Sequence, residues 1–209
     1  MAALPEDTSP KRLRSAPEHL LSVFAVPLRC PLVDGLGCGI AAKPVLTELE
    51  HNPSVAQAWL NHSGTTLVLV WNADTKPETR AQVVAGVSKT AKLEELSGSP
   101  RDAVVRDIQS GSGWYRAANV DELSREEAEI VAHRLIDSIN AAEPLPKEKS
   151  DLLWASFTDT LQRRFIQGDM SNKEVADELF KAALQQVGPK GLEAVEKPIR
   201  EACCAIPEA

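Results

Sequence analysis

The segment VAQAWLNHSGTTLVLVW, residues 55–71, restricts the fold more than any other stretch of the chain. Two apolar pieces of strand length flank His62-Ser63-Gly64, and so short a turn returns the second piece antiparallel to the first. Upstream, LLSVFAVPL is β-branched and apolar and fits a buried strand of about eight residues. The loop CPLVDGLGCG follows it, and residues 43–51 then carry Val45, Leu46 and Leu49 as a helical stripe. Pro44 is acceptable in a first helical turn, where no donor is required of it. Asn52-Pro53 ends that helix. After the hairpin, KPETRAQVVAGVSKTA reads as a second helix with Val83, Val84 and Val87 facing inward. KLEELSG is either a last edge strand or a continuation of that helix. The expected order is strand, helix, strand, strand, helix, strand, the ferredoxin-like βαββαβ arrangement.

The texture changes near Pro100. SGSP and QSGSG read as flexible joints around the short helical piece DAVVRDI. Three helices are then expected. The first, LSREEAEIVAHRLIDSINAA, has Ser124 and Glu127 as its capping box and Ile130, Val131, Leu135, Ile136 and Ile139 as its stripe. The second runs from Lys147 to Gly168. The third is capped by Ser171 with Glu174 and passes through Val175, Leu179 and Leu184. GPKGLEAVEKPIREACC is a candidate fourth, interrupted at Pro198. The fold class expected is therefore α+β: a disordered tail over 1–18, a ferredoxin-like domain over 19–98, a linker over 99–121 and a helical domain over 122–209.

Of 209 residues, 43% are hydrophobic but only 4% aromatic, so Leu, Val, Ile and Ala must build the core. A net charge of −7 argues against nucleic acid as a partner, since phosphate binders present a basic face. No apolar run approaches the roughly 18 residues that span a bilayer, so no membrane partner is expected. The N-terminal residues lack an apolar secretory core. The expected location is the cytoplasm, where cysteines stay reduced.

The chain has four cysteines. Cys30 and Cys38 stand in the Gly- and Pro-rich loop with seven residues between them, and Cys203-Cys204 lie near the C-terminus. Thiolates are soft anionic donors that favour Cu(I), Zn(II) and similar ions. Two on a flexible loop can converge on one ion, a helix N-terminus would help hold the charge, and a tail pair could join them. A free cysteine is also a small hydrophobe that packs well, so burial is the competing account of all four.

The stretch CGIAAKPVLTELEHNPSVAQAWLNHSGTTLVLVW resembles the heavy-metal-associated domain of metallochaperones and metal-pump tails. The matching pieces are a cysteine between the first strand and first helix, the Leu46, Leu49 and Glu50 helix face, Pro53 and Val55 after it, Ala58 and Asn61 in the second strand, and Thr65 or Thr66 opening the third. The resemblance covers about residues 20–97. It implies a ferredoxin-like fold and soft-metal or metalloid binding, with Cu(I), Zn(II), Hg(II) or As(III) as the ion. Cys30 and Cys38 are the candidate ligands within it, and Cys203 and Cys204, outside it, are candidates through the thiol chemistry of the tail. The family's loop usually carries two cysteines with two residues between them. Here the spacing is wider, and Cys38 matches the family's second cysteine best.

Other polar candidates are weaker. His62 falls in the hairpin turn, His51 at a helix end where a cation suits the dipole, and His133 shares a helix face with Glu129 and Asp137. Asp34 before Gly35 is first of all a turn residue. Trp59, Trp71 and Trp154 fit core positions. There is no G-x-S-x-G elbow, phosphate-cradling loop, H-E-x-x-H or dinucleotide fingerprint. Three functions remain open: a soft-metal or metalloid binding protein, a non-metal interaction module docking a protein partner through its C-terminal helices, and a thiol enzyme attacking through Cys38.

Overall fold

A computed structural model describes residues 11–110, 113–142, 144–167 and 171–205. Among these, the chain is a mixed α+β protein with a five-stranded antiparallel sheet and seven helices. Two compact units divide it: Met1–Arg29 with Gly35–Asp121, and Cys30–Asp34 with Glu122–Ala209.

The first unit holds the sheet. Its strands are β1 (Leu21–Ala25), β2 (Val55–Asn61), β3 (Thr66–Trp71), β4 (Glu94–Glu95) and β5 (Trp114–Tyr115), in the order β4-β1-β3-β2-β5. Its helices are α1 (Lys11–Arg14), α2 (Gly39–His51), α3 (Pro77–Ala91) and α4 (Gly98–Ser110). The hairpin β2–β3 pairs Leu60 with Leu67 and Ala58 with Leu69, and β1 pairs Phe24 with Leu67 on the other side of β3. Alternation then assigns the faces, because successive side chains in a strand point opposite ways.

Leu21, Val23, Trp59, Val68 and Val70 pack on one face with Leu13, Val105, Ile108 and Trp114. Phe24, Ala58, Leu60, Leu67, Leu69 and Trp71 belong to the opposite face, and α2 contributes buried Ala42, Val45, Leu46 and Leu49. These buried side chains are why strands two and three read as nearly continuous apolar runs rather than clean alternations.

Three expectations are corrected here. The stretch 99–121 is not a plain connection: α4 buries Val105 and Ile108 in the core, and β5 pairs with the free edge of β2. Part of the expected tail is also built in, since Leu13 is 1% exposed within the same core cluster. The apolar spacing of Val104, Val105 and Ile108 was the available signal, masked by the flanking Gly and Ser. Finally, α2 begins at Gly39, with Cys38 as its N-cap, so Pro44 lies inside the helix rather than in its first turn. KLEELSG resolves as an edge strand, β4, paired to Phe24 and Ala25.

The second unit holds α5 (Asp121–Ala142), α6 (Lys147–Gln167) and α7 (Asn172–Ala205). Val131, Ala132, Leu135, Ile136 and Ile139 of α5 are buried, as are Leu153, Phe157, Leu161 and Phe165 of α6 and Val175, Leu179, Val195 and Ile199 of α7. The Ser171–Glu174 capping box forms: the Ser171 amide donates to Glu174 at 2.7 Å and the Glu174 amide to Ser171 Oγ at 3.3 Å. The Ser124–Glu127 box does not. α5 starts at Asp121, a turn earlier, which leaves both residues inside the helix and buried; Ser124 Oγ donates instead to the Phe165 carbonyl. α7 breaks at Gly188 (φ 72°), where the third expected helix gives way to the fourth, but the interruption expected at Pro198 does not occur and the helix runs on through it. A proline one residue past a positive-φ glycine starts a new helical turn well, because its fixed φ is already helical.

Candidate functional site

The two ends of the connection from β1 to α2 are held by backbone hydrogen bonds. Leu28 N–H donates to the Gly64 carbonyl at 3.0 Å and Gly37 N–H to the His62 carbonyl at 2.7 Å, while Cys38 N–H donates to the Leu28 carbonyl at 2.8 Å. Arg29 and Gly37 form an isolated bridge. The connection therefore rests directly on the β2–β3 turn, and two glycines make that approach possible. A Cβ on Gly64, whose φ is +66°, would lie 2.1 Å from the Leu28 carbonyl oxygen. Asn61 ties the turn together by accepting from the amides of Thr65 and Thr66, both at 2.9 Å, and donating to Ser63 Oγ and Thr65 Oγ1.

Cys38 caps α2 at the end of this connection and is 3% exposed. Its carbonyl accepts from Ala42 at 2.9 Å, so its sulfur leaves the backbone where the helix's free amides begin.

Cys30 belongs to the second unit. Its thiol donates to Glu127 Oε1 at 3.1 Å, and its sulfur accepts from the amides of Leu32 (3.3 Å) and Val33 (3.2 Å). Arg134 of α5 donates to the Leu32 carbonyl, so the segment is fastened to α5 at two points one to two turns apart. Burial, and then the hydrogen bond and charge of Glu127, push the Cys30 thiol up to about 12. Burial likewise raises Glu127, which is 1% exposed and whose Oε2 has no partner among the described residues. Both groups are held towards their neutral forms, since a buried charge without full solvation is costly. A neutral thiol is a poor nucleophile and a poor metal ligand. Cys30 as it stands is an anchor of the segment to α5.

Among the described residues, no group of three or more His, Cys, Asp or Glu side chains is placed to hold a metal ion. Cys203 and Cys204 fall in the last turns of α7, and their side chains lie outside the described residues. Cys30 and Cys38 are both buried, neither is in a disulfide, and they belong to different units. His51 Nδ1 lies 2.7 Å from the Thr47 carbonyl, the His62 ring packs 6.2 Å from Tyr115, and the His133 ring 5.0 Å from Trp154. Asp34 is exposed. Trp59 and Trp71 are core residues, and Trp154 is partly exposed.

Sequence reading missed Glu127 as a thiol partner, because 97 residues separate it from Cys30. It also missed the pair formed by Glu50 and Arg116, 66 residues apart: Arg116 Nε donates to Glu50 Oε1 at 2.6 Å, and its guanidinium lies 5.7 Å from the Trp59 ring centre.

Compared with known proteins, the chain matches no family model, no curated protein and no solved structure. No helix among the described residues is long and apolar enough to cross a membrane.

The thiol pair carries a pH prediction. The folded-state pKa of Cys30 is raised from an ordinary 9.0 to about 12, so the stability it contributes is fully present below 9.0 and is lost as pH climbs towards 12. Urea midpoints are expected to fall between about pH 8 and about pH 10, with a flatter fall in Cys30→Ala. Identical slopes in the two proteins would show that the folded and unfolded thiols bind protons alike in this window, and hence that burial does not raise the Cys30 thiol.

Proposed function

We propose that the first unit is a ferredoxin-like domain of the heavy-metal-associated type, and that the chain binds a soft metal or metalloid ion through Cys38. The observation that carries this reading is the position of Cys38 as the N-cap of α2, at the end of the β1–α2 connection of a sheet whose first four strands run β4-β1-β3-β2. That strand order and the two crossover helices support the ferredoxin-like assignment. A helix N-terminus stabilises a thiolate, and a thiolate is a donor for Cu(I), Hg(II) or As(III).

Cys30 has a different part in this reading. Its proton must leave before its sulfur can ligate, and burial with Glu127 opposes that. Cys38 is the first ligand, and Cys203 and Cys204 are the candidates for additional donors.

Native mass spectra of the reduced chain, recorded anaerobically with Cu(I), Zn(II), Hg(II) and As(III) in turn, test the proposal. One ion that survives a competing small thiol is expected for the wild type and for Cys30→Ser, and none for Cys38→Ser. Cys203→Ser and Cys204→Ser report whether the last turns of α7 supply donors. If no ion holds, or if Cys38→Ser binds as the wild type does, the metal reading fails. The interaction-module reading then takes its place. It is favoured by Leu152 and Leu184, which are 56% and 42% exposed on α6 and α7.

A further inference from the structure

Helix α3 covers its face of the sheet unevenly. Val87 and Ala91 near its C-terminal end are buried, whereas Pro77, Ala81 and Ala85 are exposed. Under the looser half lies a cavity of about 430 Å³, lined by Ser22, Phe24 and Glu95 from the strands, by Trp71, and by α3 residues that include Arg80 and Val84. A volume near this size suits a small organic molecule, and such sites combine apolar walls with a few fixed polar groups.

The α3 lining has a helical period. Pro77, Ala81 and Val84 with Ala85 recur at steps of three and four, so they form one stripe facing the cavity. These side chains are small, which is why the helix leaves a space there. On the strand side Phe24 and Trp71, each only 1% exposed, form the floor, beside the Ser22 hydroxyl, to which Trp71 Nε1 donates at 2.9 Å. Along this edge β4 pairs with Phe24 and Ala25, and the Leu96 amide donates to the Val23 carbonyl at 2.8 Å.

Arg80 supplies the charge. Its guanidinium lies 5.6 Å from the Trp71 ring centre, and Nη1 donates to the His19 carbonyl at 3.1 Å. Its Nε is sealed from solvent, so the partly exposed remainder of the guanidinium is what can meet a molecule in the cavity. A guanidinium pairs with a carboxylate through charge-assisted N–H donors. The other charged lining residue, Glu95, is exposed and solvated.

We propose that this groove binds a small apolar or aromatic carboxylate, its acid on Arg80 and its apolar body along the Pro77–Ala81–Ala85 stripe, over the floor that Phe24 and Trp71 form. The site is independent of the thiols, and its ligand needs no metal. Phenylacetate is a suitable probe and phenylacetamide its uncharged counterpart, titrated calorimetrically into the full chain. Phenylacetate is expected to bind saturably with a dissociation constant below about 1 mM. The amide is expected to bind roughly tenfold more weakly, and Arg80→Met to weaken the acid by about the same factor without changing the amide. Ala85→Leu, at an exposed helical position, narrows the groove and is expected to weaken both probes while the far-ultraviolet circular dichroism stays unchanged. That variant decides the matter even if Arg80→Met does not fold. Absence of saturable phenylacetate binding, equal binding of acid and amide, or indifference to Ala85→Leu would each overturn the proposal.

Discussion

Gly64→Ala is expected to destabilise the first unit by about 3–5 kcal/mol, the sum of left-handed backbone strain and a backbone collision. Gly64 sits at φ +66°, where an L side chain is strained before any neighbour is considered. Its added Cβ would also meet the Leu28 carbonyl oxygen at 2.1 Å and the Gly37 Cα at 2.7 Å. Neither contact is the far end of a flexible side chain, so relief requires the β1–α2 connection to lift from the turn. Lifting it breaks the Leu28–Gly64 and Gly37–His62 hydrogen bonds, the ones that set Cys38 at the head of α2. Urea unfolding followed by tryptophan emission checks this, because Trp59, Trp71 and Trp114 all belong to the first unit. A loss under about 1 kcal/mol would mean that the turn relaxes without disturbing the connection.

Glu50→Ala is expected to cost about 3–5 kcal/mol, because it strands the buried guanidinium of Arg116. The two side chains are 12% and 10% exposed and 2.6 Å apart. Glu50 Oε1 also accepts from the Ala58 amide at 3.3 Å, which links α2 to β2. Arg116 holds the chain beyond β5, its amide donating to Asn119 Oδ1 at 2.8 Å. Removing one partner leaves an uncompensated charge, whereas replacing both with apolar residues of similar volume does not. The double variant Glu50→Leu with Arg116→Met is therefore expected to be more stable than Glu50→Ala alone. With Glu50→Leu and Arg116→Met measured singly to complete the cycle, additive losses in the double variant would show that the pair is not coupled.

Much of the sheet was legible before any coordinates. The hairpin of residues 55–71, the β1 strand and the capping box at Ser171 depend on neighbours within a few positions, and their patterns follow local geometry. The starts of α2 and α5 were read late or misread for a related reason. Ser124 and Glu127 carry the spacing of a capping box, but the turn at Arg116–Val120 starts α5 at Asp121, and the box residues are then buried. A local motif lost to tertiary packing.

The candidate site divides along the same line. Composition and pattern alone determined that the chain is α+β, that a cysteine stands between a strand and a helix, and that His62-Ser63-Gly64 turns the chain between two strands. Periodicity and turn chemistry act over a few residues, so one sequence suffices to read them. Only the tertiary structure decided that Cys30 is tied to Glu127, that Arg116 reaches Glu50, and that α4 closes the second face of the sheet. Each depends on groups brought together from distant positions, and whether a thiol is a ligand or an anchor is set by the solvation and charge around it after folding.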